Sequence, residues 1–247
     1  FDEELSIDPE MLGRIFENLL ASQNEETSTL ANQRKAFGAF YTPREIVDYM
    51  VNESIKAYLQ TQWEQHIIQK KSQQVNDPNP EVNLFGYQKK TQEFLEFKKY
   101  ELNQDEKSKI GKYLEPLFTA NPNTDGLKKE EKNLLLSFLE KIKILDPACG
   151  SGAFPMGILH KLVELHEMLG TVKSSYELKK DILSQNIYGV DLMPMAIEIA
   201  RLRAWLSLVL EEDYKPKDPV HNFGVKPLPN LDFKFVCANS LIDLGLD

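Results

Sequence analysis

Between Lys141 and Phe154 the chain reads Lys-Ile-Lys-Ile-Leu-Asp-Pro-Ala-Cys-Gly-Ser-Gly-Ala-Phe. Ile142, Ile144 and Leu145 form a short apolar run rich in β-branched residues. It ends on a carboxylate, Asp146, and a tight turn of small residues follows. Beyond Gly152 the apolar positions Ala153, Met156, Leu159, Leu162 and Val163 recur at helical spacing. Strand, acidic glycine-rich turn and helix in that order open a nucleotide-binding α/β unit. The rest of the chain is placed relative to this unit.

After that opening a helix is expected near 154–168, ending at Gly170, and a second from Tyr176 to Gln185. Asn186-Ile-Tyr-Gly-Val-Asp191 then reads as a buried strand that again ends on a carboxylate. Pro194 opens a long apolar helix to about residue 211. A proline-rich loop (213–230) leads to a third strand, Phe-Lys-Phe-Val-Cys-Ala, followed by Asn239 and Ser240.

Upstream, residues 8–22 read as an amphipathic helix with Asp8 as N-cap, Pro9 at the first helical position and an apolar stripe from Met11 to Leu20. Residues 23–36 are polar and read as a loop. Thr42-Pro43-Arg44-Glu45 has the form of a capping box, and the helix after it is expected to bury Ile46, Val47, Met50, Val51, Ile55, Tyr58 and Leu59. Phe40 and Tyr41 stand just before that cap, placed either to staple onto the helix or to cover a ligand. The organisation expected is a helical N-terminal region with the cap (1–60), a polar helical insertion (61–140) and an α/β core (141–247). The expected fold class is α/β, a partial doubly wound, Rossmann-like sheet.

Composition narrows the classes further. The chain has 247 residues, 42% hydrophobic and 27% charged, which suits a globular domain and no fibrous or low-complexity class. No apolar run approaches the roughly 18 residues of a membrane span. The start, Phe-Asp-Glu-Glu-Leu, has neither a basic region nor an apolar core, so it reads as a cut within a longer protein rather than a signal peptide. Two cysteines, Cys149 and Cys237, fit a reducing cytoplasm better than a disulfide framework. A net charge of −9 predicts weak DNA binding by this chain. The lysine pairs between Lys70 and Lys129 are diluted by glutamates and read as solvated helix faces.

The chemistry lies at the strand ends. In a parallel α/β sheet the carboxyl ends of the strands line the ligand crevice, so Asp146, Asp191 and Asn239 should converge. Gly150 and Gly152 let a ligand approach backbone closely. Asp191 suits a ribose, because a carboxylate accepts from both hydroxyls; Asn239 offers a donor and an acceptor, as an adenine edge requires. The dinucleotide pattern G-x-G-x-x-G is incomplete, since Pro155 holds the third position, and Asp191 lies far beyond the expected acidic position. Asp146 would repel a pyrophosphate and suit a cationic amino or sulfonium group. S-adenosylmethionine is therefore favoured over NAD or ATP. The blander alternative is that each strand-end aspartate merely caps the turn after it. The four histidines are scattered and form no metal-ligand cluster. Cys149 sits where a helix N-terminus would favour a thiolate, although filling a tight turn suffices to explain it.

Asp-Pro-Ala-Cys-Gly-Ser-Gly-Ala-Phe resembles the cofactor motif of N6-adenine DNA methyltransferases whose motif order begins with a Tyr-Thr-Pro box. Gly38–Val47 is similar to that box, Tyr188–Pro194 to the ribose-binding strand end, and Ala238–Leu241 to the segment that meets the cofactor adenine. The resemblance spans 8–60 and 140–243 and is strongest to bifunctional type IIG-like restriction–modification enzymes and phage-defence methylases. It implies that Phe40, Tyr41, Thr42 and Pro43 border the methionine part of S-adenosylmethionine, which turns the aromatic pair into a lid. It implies that Asp146, Pro147, Ala148, Gly150 and Gly152 shape the turn around the amino-acid end. Asp191 would take the ribose, Leu192 would pack on the adenine, and Asn239 with Ser240 would read its edge. For the intact parent it implies action on double-stranded DNA.

The family also carries an Asn-Pro-Pro-Tyr motif after the third strand, which grips the target adenine; no such motif occurs in these 247 residues. The expectation is a donor-binding fragment that does not transfer the methyl group by itself, with no catalytic residue and no metal ligand of its own. Methylation of RNA or protein, or an assembly role with the fold retained for packing, stand as alternatives.

Overall fold

A computed structural model describes residues 42–75, 102–211, 226 and 228–242, together with Met11 and Ile15. The described elements are helix α1 (Arg44–Val75), α2 (Gln104–Leu114) with a 3-10 turn (Glu115–Phe118), α3 (Lys129–Lys141), strand β1 (Ile144–Asp146), α4 (Ala153–Met168), α5 (Ser175–Gln185), β2 (Ile187–Asp191), α6 (Pro194–Val209) and β3 (Phe235–Cys237). They divide into two compact units. One holds residues up to Glu53 and from Lys128 onward, and the other holds Ser54–Leu127.

The sheet lies wholly in the first unit and is parallel in the order β1-β2-β3. Ile144 pairs with Ile187 and Asp146 with Gly189; Gly189 pairs in turn with Phe235, and Asp191 with Cys237. Parallel neighbours need a crossover, and α4 with α5, then α6, supply it. This is a Rossmann-like α/β arrangement, as the strand–turn–helix reading anticipates. Side chains alternate across the strands. Ile187, Gly189 and Phe235 are buried with α4, α5 and α6, while Leu145 and Val236 on the alternate positions are exposed.

Local signals account for the element ends. Ser174 accepts from Glu177 N–H while Glu177 accepts from Ser174 N–H, a full capping box that starts α5. Gly170, at φ +89°, ends α4 in a conformation that costs a glycine little. The join between α3 and the sheet rests on Asn186, which is buried. Its Nδ2 donates to Leu139 O and Glu140 O at 3.3 Å each and to Ile142 O at 2.7 Å, satisfying carbonyls that the end of α3 leaves open. Its own carbonyl accepts from Ile144 N–H at 2.8 Å and so starts β1 against β2.

Gly189 marks a tight point of the sheet. A Cβ there would lie 2.8 Å from Cys149 Sγ and 2.8 Å from the Phe235 ring. Gly157 on α4 is similarly constrained, with a would-be Cβ 2.6 Å from Val47 of α1.

Several expectations shift in detail. Helix α1 opens one residue later than the capping-box reading, because Pro43 O, not Thr42 O, accepts the first helical N–H groups, from Ile46 and Val47. Its buried stripe is narrower than expected: Val47, Val51, Ile55, Leu59 and Trp63 are buried, whereas Ile46 and Met50 are exposed. The third strand is shorter than the apolar run, and Phe233 is exposed. The 8–22 helix, the 23–36 loop and the proline-rich 213–230 segment lie largely outside the described residues. Met11 and Ile15, within the first of these, are helical and exposed.

In the second unit α2 starts with a capping box between Asn103 and Glu106. Tyr113 stacks on Trp63 with ring centroids 5.7 Å apart, over a core of Leu59, Ile110, Leu114 and Leu117. Lys56 pairs with Glu115, and Lys71 with Glu106. No described helix is long and apolar enough to cross a membrane.

Candidate cofactor-binding site

Because the strands are parallel, their carboxyl ends share one edge, and the register places Asp146, Asp191 and the segment after Cys237 along it. The turn after β1 curls back over β2. Cys149 N–H donates to Val190 O at 2.9 Å, and Gly150 N–H donates to Asp191 Oδ2 at 2.8 Å. The other oxygen, Asp191 Oδ1, accepts from Met193 N–H at 2.9 Å just before α6 begins. Asp191 thus holds the turn on one side and the start of α6 on the other. A carboxylate has about four lone-pair sites, so both oxygens keep room for a further donor.

Asp146 is arranged differently. Its Oδ1 accepts from Ala148 N–H at 3.1 Å. Its Oδ2 is buried and has no hydrogen-bond partner among the described residues. Burial pushes the Asp146 carboxyl above the usual 3.8; the Ala148 N–H works against the rise, and repulsion from Asp191 adds to it. A buried acceptor with nothing donating to it is what a cationic amino group would satisfy. Next to it Gly150 takes φ +52°, with open space where a Cβ would be, so the backbone there can be approached closely. Gly152, at φ +88°, is closed instead: a Cβ would meet Ala200 of α6 at 3.1 Å.

The segment after β3 reaches the same edge. Ala238 N–H donates to Asp191 O at 3.0 Å, and Ser240 Oγ donates to Pro147 O at 2.9 Å, so the turns after β1 and β3 are tied together. Asn239 Oδ1 accepts from Leu241 N–H at 3.0 Å. Leu192, 56% exposed, follows Asp191. Of the residues singled out from sequence, Asp146, Pro147, Ala148, Gly150, Gly152, Asp191, Leu192, Asn239 and Ser240 fall along one edge of one sheet. Thr42 and Pro43 lie at the start of α1, and Phe40 and Tyr41 lie outside the described residues.

The Cys149 thiol is buried, and burial followed by repulsion from Asp146 and Asp191 pushes it up to about 12 against a smaller lowering by a backbone hydrogen bond, which disfavours a thiolate there. It fills the turn above Gly189. Among the described residues no group of histidine, cysteine and carboxylate side chains could hold a metal ion.

Sequence reasoning missed Arg203. It lies on α6, only 5% exposed, and its Nη1 donates to Ser151 O of the turn at 2.9 Å. The available signal was a charged residue inside the otherwise small and apolar stripe of Ala196, Ile197, Ile199, Ala200 and Ala204.

Residues 123–241 match the family described as MmeI, DNA-methyltransferase domain. Over 97% of its length the chain is 30% identical to a protein of Methanocaldococcus jannaschii named as a type II restriction enzyme and methyltransferase, covering 17% of that protein. Over 33% of its length it is 34% identical to the adenine-specific methyltransferase PglX of Streptomyces coelicolor, and over 53% it is 28% identical to DNA methyltransferase A of Bacillus subtilis. These stretches cover 7% and 16% of the two relatives, so the chain spans less than a fifth of any of the three.

Proposed function

From the membership of residues 123–241 in the MmeI-type, N6-adenine DNA methyltransferase family, we propose that this chain holds S-adenosylmethionine along the strand-end edge, as the donor part of an enzyme that methylates N6 of adenine in double-stranded DNA. The observation that carries the reading is the buried Asp146 Oδ2, unpartnered among the described residues, beside the open backbone of Gly150. An α-ammonium donating to that oxygen offsets the desolvation that now raises the carboxyl, and it relieves the repulsion from Asp191. A pyrophosphate would worsen both.

In this reading Asp146, Pro147, Ala148, Gly150 and Gly152 enclose the amino-acid end. Asp191 accepts the ribose hydroxyls on its remaining lone pairs, Leu192 lies against the adenine, and Asn239 and Ser240 meet its edge. Phe40, Tyr41, Thr42 and Pro43 flank the methionine part. The cofactor supplies an electrophilic methyl group, and the chain's residues hold it in place. The target base must be unstacked to reach that methyl group. The residues that would grip the base are not among these 247, since no Asn-Pro-Pro-Tyr occurs. The chain alone therefore binds the donor without transferring from it.

Calorimetric titration of the chain with S-adenosylmethionine and with NAD tests the first claim. Heat with S-adenosylmethionine and none with NAD is expected; heat with NAD only would overturn it. Methyl transfer to an adenine-containing duplex by this chain alone would overturn the donor-only claim.

A further inference from the structure

The geometry points to Arg203 as a positioning residue that preorganises the glycine-rich turn for the amino-acid end of the cofactor, acting without touching it. The inference rests on the cofactor reading above and adds a residue to it. Helix α6 gives up one position of a stripe of small and apolar residues to a guanidinium, and burying that charge is costly unless its hydrogen bonds are good. Its Nη1 meets one peptide of the turn. The Ser151 carbonyl accepts from Arg203 at 2.9 Å, and the Gly152 N–H of the same peptide donates to Cys149 O at 2.9 Å. That peptide is therefore held at both ends.

It needs holding because of what flanks it. Gly150 at φ +52° and Gly152 at φ +88° are both left-handed, and glycine populates positive and negative φ about equally. A Gly-Ser-Gly turn on its own would spread over several backbone conformations. Three contacts around α6 select one of them. Asp191 ties Gly150 N–H to Met193 at the start of the helix, Ala200 packs on Gly152, and Arg203, one turn further along, fixes the Ser151 carbonyl. Ordering that is done before binding need not be done at the expense of affinity. The effect should be confined to the part of the ligand that the turn encloses.

That confinement gives the test. The chain and its R203M and R203K variants are titrated calorimetrically with S-adenosylmethionine and with adenosine, which lacks the amino-acid end, and their thermal unfolding is recorded. R203M keeps an unbranched, apolar stem in place of the arginine's and removes the donor. Its Kd for S-adenosylmethionine is expected to rise at least tenfold while that for adenosine changes less than twofold. R203K, with a single donor nitrogen on a shorter reach, is expected to fall between R203M and the unsubstituted chain. Equal weakening of both ligands would show a merely structural role and overturn the inference, as would an S-adenosylmethionine Kd in R203M within twofold of the original. If R203M does not unfold cooperatively, R203K decides on the same two ratios. Failure of the unsubstituted chain to bind S-adenosylmethionine would overturn the cofactor reading itself and this inference with it, whereas normal binding by R203M would overturn only this inference.

Discussion

Replacing Asp146 with asparagine should make the ligand-free chain more stable and worse at binding. The substitution keeps the side chain's shape and the bond from Ala148 N–H to the remaining oxygen. It removes a charge whose second oxygen is buried without a partner among the described residues and which is repelled by Asp191. Leaving a buried polar group unsatisfied costs about 1–3 kcal/mol, and more when it is charged. The neutral amide still leaves its NH2 unpaired, so the net gain should be about 1–2 kcal/mol. At roughly 2–4 °C per kcal/mol for a chain of this size, unfolding should shift upward by about 2–8 °C.

The pH dependence follows from the sign of the shift. The folded carboxyl holds its proton more tightly than the unfolded one, so wild-type stability from this group falls as pH rises from 3.8 through the raised folded value. Below 3.8 the group is protonated in both states. The advantage of D146N should therefore be full at neutral pH and narrow as pH is lowered toward 4. Thermal and urea unfolding followed by circular dichroism, at several pH values with and without S-adenosylmethionine, measure the temperature shift and the free energies. Ligand at a hundred times its Kd adds about 2.7 kcal/mol to the wild type, enough to reverse the order. A D146N variant less stable than wild type at pH 7 without ligand, or one that binds S-adenosylmethionine as tightly, would refute the reasoning.

Asn186→Ala removes the donor shared by three carbonyls at the end of α3 and should cost about 1–3 kcal/mol in urea unfolding; a loss below about 0.5 kcal/mol would show that those carbonyls find other partners. His166 is buried, and burial, helped by Lys173 and opposed by Glu140, lowers its pKa below the usual 6.5. The unfolded chain therefore takes up its proton first, and wild-type stability should fall as pH drops through 6.5 toward the lowered folded value. His166→Gln should flatten that part of the stability–pH curve, and an unchanged slope would assign it to other groups.

The edge that gathers the strand ends was legible because its signals are local. A β-branched run that stops on a carboxylate announces a strand end, and parallel pairing then places every such end together without further information. The glycines of the turn could be read for the same reason, since small residues between a strand and a helix have few other uses. Arg203 and Asn186 could not be read this way. Each acts across more than 40 residues, on the carbonyl of Ser151 and on the end of α3 respectively, and an arginine or asparagine in a window of sequence looks like a surface residue until its partner is known. The same limit explains α1, where Ile46 and Met50 fit a helical apolar stripe as well as Val47 and Val51 do. Only the partner, Gly157 of α4 against Val47, decides which side is covered.

The crowding at Gly189 bears on how such a sheet can change over generations. Hydrogen in place of a methyl group at that position is what lets the Cys149 sulfur and the Phe235 ring occupy the same layer. The three positions come from different parts of the chain yet constitute a single choice of volumes. A substitution at any one of them alone meets resistance, while a larger residue at 189 becomes admissible only once both 149 and 235 have given way. Drift at these sites should be correlated and stepwise, with the cysteine retained for its size rather than for its chemistry.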